Sequence, residues 1–197
     1  VYFFRSREHL LHREDIKEDD IKNHQIAYLE GYLWDNEKAK MAMKKMVDIC
    51  KSDGQKIAFT LSDLFCVDRH RKSFQELITN DVDILFANED EIKAMSETSN
   101  FDESIEYAKS LKITAAITKG SSGSVIISGN EVTEVTAQKV DKVVDTTGAG
   151  DLFAAGFLYG FSRKKSMQEC GYYASVAAAE IISHYGARPL LKLSSLI

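Results

Sequence analysis

"VVDTTGAGDLFAAGF", Val143 to Phe157, sets two valines, an aspartate, two threonines and a glycine pair ahead of Asp151 and a run of small and apolar residues with helical character. A strand that ends in a glycine-rich turn and opens a helix presents unpaired backbone N–H groups and the positive end of the helix dipole, which together attract anions such as phosphate. Gly148 and Gly150 lack a Cβ, so a ligand can approach the main chain closely there. Asp151 falls in the first helical turn, where a carboxylate favours the dipole on its own account. Beside a bound phosphate the same group could deprotonate a hydroxyl while the glycine amides absorb the developing charge. Phosphoryl transfer to an alcohol needs that pairing.

Competing motifs fail on spacing. A G-x-G-x-x-G fingerprint would need a glycine where Phe153 stands, and no G-x-x-x-x-G-K-[ST] loop occurs. "LHRED" reads HRE rather than HRD and has no companion signature, and there is no G-x-S-x-G elbow.

Two further strand ends carry chemistry. "FANEDEIKAM" closes a strand at Asn88 and opens a helix with Glu89, Asp90 and Glu91. Asn88 and Glu91 stand at capping-box spacing. They are also placed to hold water around Mg²⁺, which binds through few carboxylates and keeps several waters. In "ITKGSSGS" a strand runs into a loop punctuated by Gly120 and Gly123, which a plain flexible loop would also explain.

From Gln25 onward, short β-rich runs alternate with longer helical ones, the pattern of βαβ units and a mainly parallel sheet. "QIAYLEG", "KIAFTLS", "VDILFAN" and "ITAAITKG" read as strands, and "SVIISGNEVTEVTA" as a hairpin turning at Gly129-Asn130. "NEKAKMAMKKMVDICKSDG" reads as a helix closed by Gly54, and "RHRKSFQELITND" as a shorter one. "EDEIKAMSE" and "FDESIEYAKSLK" are helical, as are the Ala- and Gly-rich "AGDLFAAGFLYGFS" and "SMQECGYYASVAAAEIISHYG".

The 197 residues, 44% hydrophobic and 28% charged, suffice for one globular domain. A net charge of −5 argues against general affinity for nucleic acid or an anionic membrane. Cys50, Cys66 and Cys170 form an odd set without CxxC spacing, as expected of ordinary thiols in a reducing compartment. No apolar run reaches the ~18 residues of a membrane span and no signal-peptide pattern opens the chain, so the expected location is cytoplasmic. The chain starts at Val1 without Met and its opening turns from aromatic to densely charged. It reads as a fragment, with residues 1–24 irregular or poorly ordered.

Taken in order, "NEDE", "TKGSSG" and "DTTGAGD" resemble the ribokinase-like (PfkB) carbohydrate and nucleoside kinase family, with "YGARP" from Tyr185 similar to its terminal segment beside the adenine pocket. The resemblance implies a Rossmann-like three-layer α/β/α fold with residues 25–197 as the C-terminal portion of the kinase domain. The N-terminal part and β-stranded lid have no counterpart here, which would leave a central parallel sheet open. It implies ATP-dependent phosphorylation of an alcohol. By matching position Asp151 would be the base, and Gly148, Ala149 and Gly150 the anion hole. Asn88 and Glu91 would organise Mg²⁺ and the phosphate end of ATP, and Thr118, Gly120 and Gly123 would lie along the nucleotide. Asp145 and Thr147 match positions that in several members help form a monovalent-cation site, with K⁺ the candidate ion. "YLEGYLWD" and "FTLSDLFCVDRHRKSF" are most similar to adenosine-kinase-like members, making a nucleoside the preferred acceptor. A ribose, fructose-phosphate or ketosugar acid acceptor is the alternative, and a noncatalytic nucleotide-binding module is a further one. Asp63, Phe65, Arg69 and Arg71 are candidates to line the pocket, although the arginines fit a solvated helix face equally well. No nucleic acid or membrane partner is expected. Because many relatives pair through the lid, a homodimer is a candidate state of the intact protein.

Overall fold

The computed structural model describes residues 11–196. Six strands hydrogen-bond in chain order: β1 (Ile26–Glu30), β2 (Lys56–Thr60), β3 (Ile84–Asn88), β4 (Thr114–Thr118), β5 (Ser124–Ser128) and β6 (Glu131–Val135). The long helices are α2 (Glu37–Asp53), α3 (Leu64–Asn80), α4 (Glu89–Ser96), α5 (Phe101–Ser110), α6 (Ala149–Ser162) and α7 (Met167–Ile182), after a short α1 (Glu18–Lys22). The sheet is mainly parallel and the architecture is the three-layer α/β class expected from the alternation.

The chain divides into two compact units. In the first, which runs up to Ile117 and includes Ile127–Asn130, β1 pairs parallel with β2 from Ile26↔Lys56 to Glu30↔Thr60, and β2 pairs parallel with β3. All five β1 residues and the first four of β3 are buried, as parallel strands covered on both faces demand. Phe59 and Phe74 meet edge to face at 5.0 Å between ring centroids, with Trp34 against both. The Trp34 indole N–H donates to Ser73 Oγ at 2.9 Å, so its polar edge is satisfied where its rings are buried.

Two expectations change here. Residues 11–24 are not irregular: a 3₁₀ turn at Arg13–Asp15 leads into α1, and Leu11, Ile16 and Ile21 are buried. Lys45 Nζ donates to the Ile16 carbonyl at 2.6 Å and Gln55 Nε2 to the Ile21 carbonyl at 2.8 Å, fastening this charged stretch through its backbone. Residues 1–10 lie outside the described residues. The helix expected at "RHRKSFQELITND" begins earlier, at Leu64, because Asp63 Oδ1 accepts the Cys66 N–H at 2.6 Å and caps it.

The second unit comprises Thr118–Ile126 and the chain from Glu131 onward. Its helices α6 and α7 cross so closely that a Cβ on Gly156 would collide with the Tyr173 carbonyl, and α7 lies so close to the strands that one on Gly171 would stand 2.5 Å from Ile126 Cδ1 on β5. Gly156 and Gly171 are therefore packing requirements. Cys50, Cys66 and Cys170 are all buried free thiols. Among the described residues no helix is long and apolar enough to cross a membrane.

Candidate functional site

In the second unit the glycine stretch from Val143 to Phe157 becomes a turn and a helix start. Gly148 is the N-cap of α6 in the left-handed region, at φ 82°, a conformation that costs an L side chain but not glycine. Ala149 N–H donates to the Thr146 carbonyl at 3.1 Å and Leu152 N–H to the Gly148 carbonyl at 2.9 Å. The N-cap residue of α6, being glycine, has no side chain with which to cap the helix. By contrast α2, α3, α4, α5 and α7 are capped by the side chains of Asn36, Asp63, Asn88, Asn100 and Ser166. The first-turn N–H groups of α6 therefore receive no acceptor from the N-cap residue, as those of its counterparts do, an arrangement that suits an anion. Gly150 is exposed, and a Cβ built on it would meet nothing within 4 Å among the described residues. Asp151 stands half-buried in the first turn.

Asp145 orders the turn. Its Oδ1 accepts both the N–H of Thr147 at 2.9 Å and its hydroxyl at 2.7 Å, and its Oδ2 accepts the Gly186 N–H at 3.1 Å. The Thr147 hydrogen bonds, with help from Gly186, hold the carboxyl below the usual carboxylate range. Three of a carboxylate's about four lone-pair sites are thus taken by N–H and O–H donors. This donor set gives no support to the expected potassium site, and among the described residues no group of three or more His, Cys, Asp or Glu could hold a metal ion.

The loop between β4 and β5 separates its two glycines by role. Gly120, beyond Thr118 at the end of β4, is exposed and open, with nothing within 4 Å of the place a Cβ would take. Gly123, at φ 94°, lies so close to β6 that a Cβ would collide with the Val135 carbonyl. Packing alone requires glycine there.

The first unit holds the second chemical group. Asn88 ends β3 and caps α4: its Oδ1 accepts the Glu91 N–H at 2.8 Å, while Glu91 returns by accepting Asn88 N–H at 2.9 Å and Asn88 Nδ2–H at 2.7 Å. The capping box is real. Glu91 is nevertheless 5% exposed, and burial pushes its carboxyl up to about 7 despite the opposing bond from Asn88. Each Glu91 oxygen accepts one N–H from Asn88, so the carboxylate's remaining lone pairs are the positions from which water around Mg²⁺ could be held.

The pocket candidates near β2 separate differently. Asp63 is the α3 cap, and Phe65 is 69% exposed. Arg69 forms a two-point pair with Asp35, Nε at 3.0 Å and Nη2 at 2.7 Å, joined by His70 at 2.6 Å. Arg71 pairs with Asp68 and Glu97. Both arginines are engaged in ion pairs on α3. Sequence reading missed Tyr32, in the turn after β1, whose hydroxyl donates to the Ser62 carbonyl at 3.2 Å and whose pKa burial and Asp63 raise to about 12. Ser62 itself is at φ 72°. Only the "SD" turn signal hints at this.

The pfkB family carbohydrate kinase model matches residues 1–193. The chain belongs to the pfkB carbohydrate kinase family. It is similar to the adenosine kinase from Sinorhizobium meliloti, at 42% identity and TM-score 0.92, covering 95% of this chain and 57% of that one. A probable sugar kinase from Rhizobium etli CFN 42 is 41% identical with TM-score 0.92, over 94% of this chain and 57% of that one. A putative ribokinase II from E. coli, solved in complex with ATP and Mg²⁺, shares the fold at 22% identity and TM-score 0.85, over 94% of this chain and 61% of that one. The chain spans 29% to 55% of the length of eight curated kinases that it matches.

Proposed function

We propose that the intact protein transfers the terminal phosphoryl group of ATP to an alcohol of a nucleoside, adenosine or a close relative. The observation that carries this reading is the start of α6, which alone among the described long helices lacks a side-chain cap and holds Asp151 in its first turn. The N–H groups of Gly148, Ala149 and Gly150 would bind phosphoryl oxygens, concentrating fixed dipoles where negative charge develops. Asp151 would accept the proton of the acceptor hydroxyl as its oxygen attacks. Thr118, Gly120, Gly123 and Thr147 would border the nucleotide, with Gly120 offering open backbone and Gly123 holding the loop to β6. Asn88 and Glu91 would hold Mg²⁺ through water, and the Mg²⁺ would supply neutralisation of the phosphate charge.

The nucleoside preference rests on the similarity to the Sinorhizobium meliloti adenosine kinase over nearly the whole of this chain. The equally similar probable sugar kinase favours a sugar acceptor as the second reading. Incubating the full-length protein with Mg-ATP and a panel of nucleosides, pentoses, hexose phosphates and ketosugar acids, with ADP release as readout, separates them. Turnover on adenosine above every sugar supports the first. Turnover on sugars alone replaces it with the second. Binding of ATP without turnover on any acceptor would mark a noncatalytic nucleotide-binding module.

A further inference from the structure

The loop that follows α7 runs past the glycine turn, and burial does not hold it there: Tyr185 is 83%, Leu190 74% and Leu191 57% exposed. Ala187 nevertheless lies against Gly148, its Cβ 3.2 Å from where a Gly148 Cβ would stand. Two carboxylates fix this course. Asp145 takes the Gly186 N–H near the start of the loop. At its far end Glu180 Oε1 accepts the N–H groups of Leu190 at 2.8 Å and Leu191 at 3.0 Å, with His184 Nε2 at 3.2 Å.

Glu180 is an unusual choice for this task. It sits on α7 with its side chain 4% exposed, and its Oε2 is buried with no hydrogen-bond partner among the described residues. A buried oxygen without a partner costs stability, so a carboxylate here is explained by the geometry that Oε1 provides. Hydrogen bonds to an ionised acceptor are among the stronger ones, and two consecutive amides on one oxygen define the direction of the chain as well as its distance.

We propose that Glu180 is a positioning residue for the nucleotide: by holding the 186–191 loop it sets Ala187 against Gly148 and so fixes the wall of the phosphate-binding turn. This rests on the reading of the α6 start as the phosphate site. Glu180 acts through the loop whose amides it holds, so its removal reaches ATP affinity before it reaches the chemical step.

The test uses the full-length protein and measures the Kd of a nonhydrolysable ATP analogue together with KM for ATP and for the acceptor. Glu180→Leu, which fills the space without an acceptor, is expected to weaken the ATP analogue about tenfold or more, a size set by losing two hydrogen bonds to a charged group. KM for ATP rises with it and KM for the acceptor stays. Glu180→Gln, whose amide oxygen can take the same two N–H groups, returns affinity to within about threefold. Unchanged ATP affinity in Glu180→Leu overturns the proposal, whether or not hydrogen exchange at the Leu190 and Leu191 amides quickens. If Glu180→Leu does not fold, the paired substitution Leu190→Pro and Leu191→Pro removes the donors from an exposed segment instead. Weakened ATP binding there supports the proposal, and wild-type affinity overturns it. Wild-type protein that binds ATP but phosphorylates nothing ends only the kinase reading, because the Kd ratio still decides the role of Glu180. Wild-type protein that binds no ATP overturns both.

Discussion

Asp145 and Gly186 are joined by a 3.1 Å hydrogen bond from the Gly186 N–H to Oδ2, while Oδ1 is occupied by Thr147. One carboxylate thereby orders the turn before Gly148 and the loop after α7. Asp145→Ala is expected to lower kcat/KM of the full-length protein about 10- to 100-fold, the size of effect that slight misplacement of reacting groups produces. Asp145→Asn keeps one acceptor oxygen and should fall between. Its pKa is depressed in the folded state, so the stability it contributes is present above the unfolded carboxyl value and is lost only as pH falls through the lower folded one. Steady-state rates across pH 5 to 8 should accordingly show no titration of this group.

Gly150 and Gly123 make a discriminating pair. Gly150→Ala meets no atom within 4 Å and places a better helix former in α6, so thermal stability should hold or rise by about 0.5–1 kcal/mol. Turnover should nonetheless fall at least about tenfold, because the methyl group blocks close approach to the main chain that phosphate binding needs. Gly123→Ala should behave in the opposite order. Its Cβ collides with the Val135 carbonyl and its φ is 94°, so the folded state should lose about 2 kcal/mol or more by thermal unfolding.

Asp151→Asn should remove most turnover, about 10²- to 10⁴-fold, with ATP affinity retained, since the loss of a general base acts on the chemical step. Stopped assays of ADP formation paired with calorimetric ATP binding check both halves. Undiminished turnover would remove Asp151 from the mechanism.

Glu91 carries a pH signature. Burial raises its folded pKa to about 7, above an unfolded value near the ordinary carboxyl. The folded state therefore binds more protons between those two values, and stability declines as pH rises through that window, by up to about 3 kcal/mol. Chemical denaturation from pH 4.5 to 8 should trace this decline, and Glu91→Gln should flatten it. A pH slope identical in the variant would assign the decline to other groups.

Much of the fold is legible in the sequence. Strands such as "ILFAN" and "SVIIS" are short apolar runs bounded by turn residues, and Gly54 closes α2 in the left-handed conformation its position announces. Much of what escapes a sequence reading depends on partners far along the chain. Arg69 reads equally well as a pocket residue or as a cation on a solvated helix face until Asp35, 34 residues away, is brought to it. Asp63 reads as a pocket residue, but its local bond to Cys66 makes it the cap that starts α3. The charged residues 11–24 read as irregular because their order comes from three apolar side chains and from the side chains of Lys45 and Gln55.

By itself the sequence determined the element order, the mainly parallel sheet and the glycine turn in front of Asp151, because periodicity, caps and turn residues act within a few neighbours. Tertiary structure alone decided which glycine serves packing and which leaves open space. It also decided that Asp145 meets the Gly186 N–H, 41 residues on, and that Glu91 is buried enough for its carboxyl to be pushed up to about 7. Each of these depends on atoms that only folding brings within hydrogen-bonding or van der Waals reach.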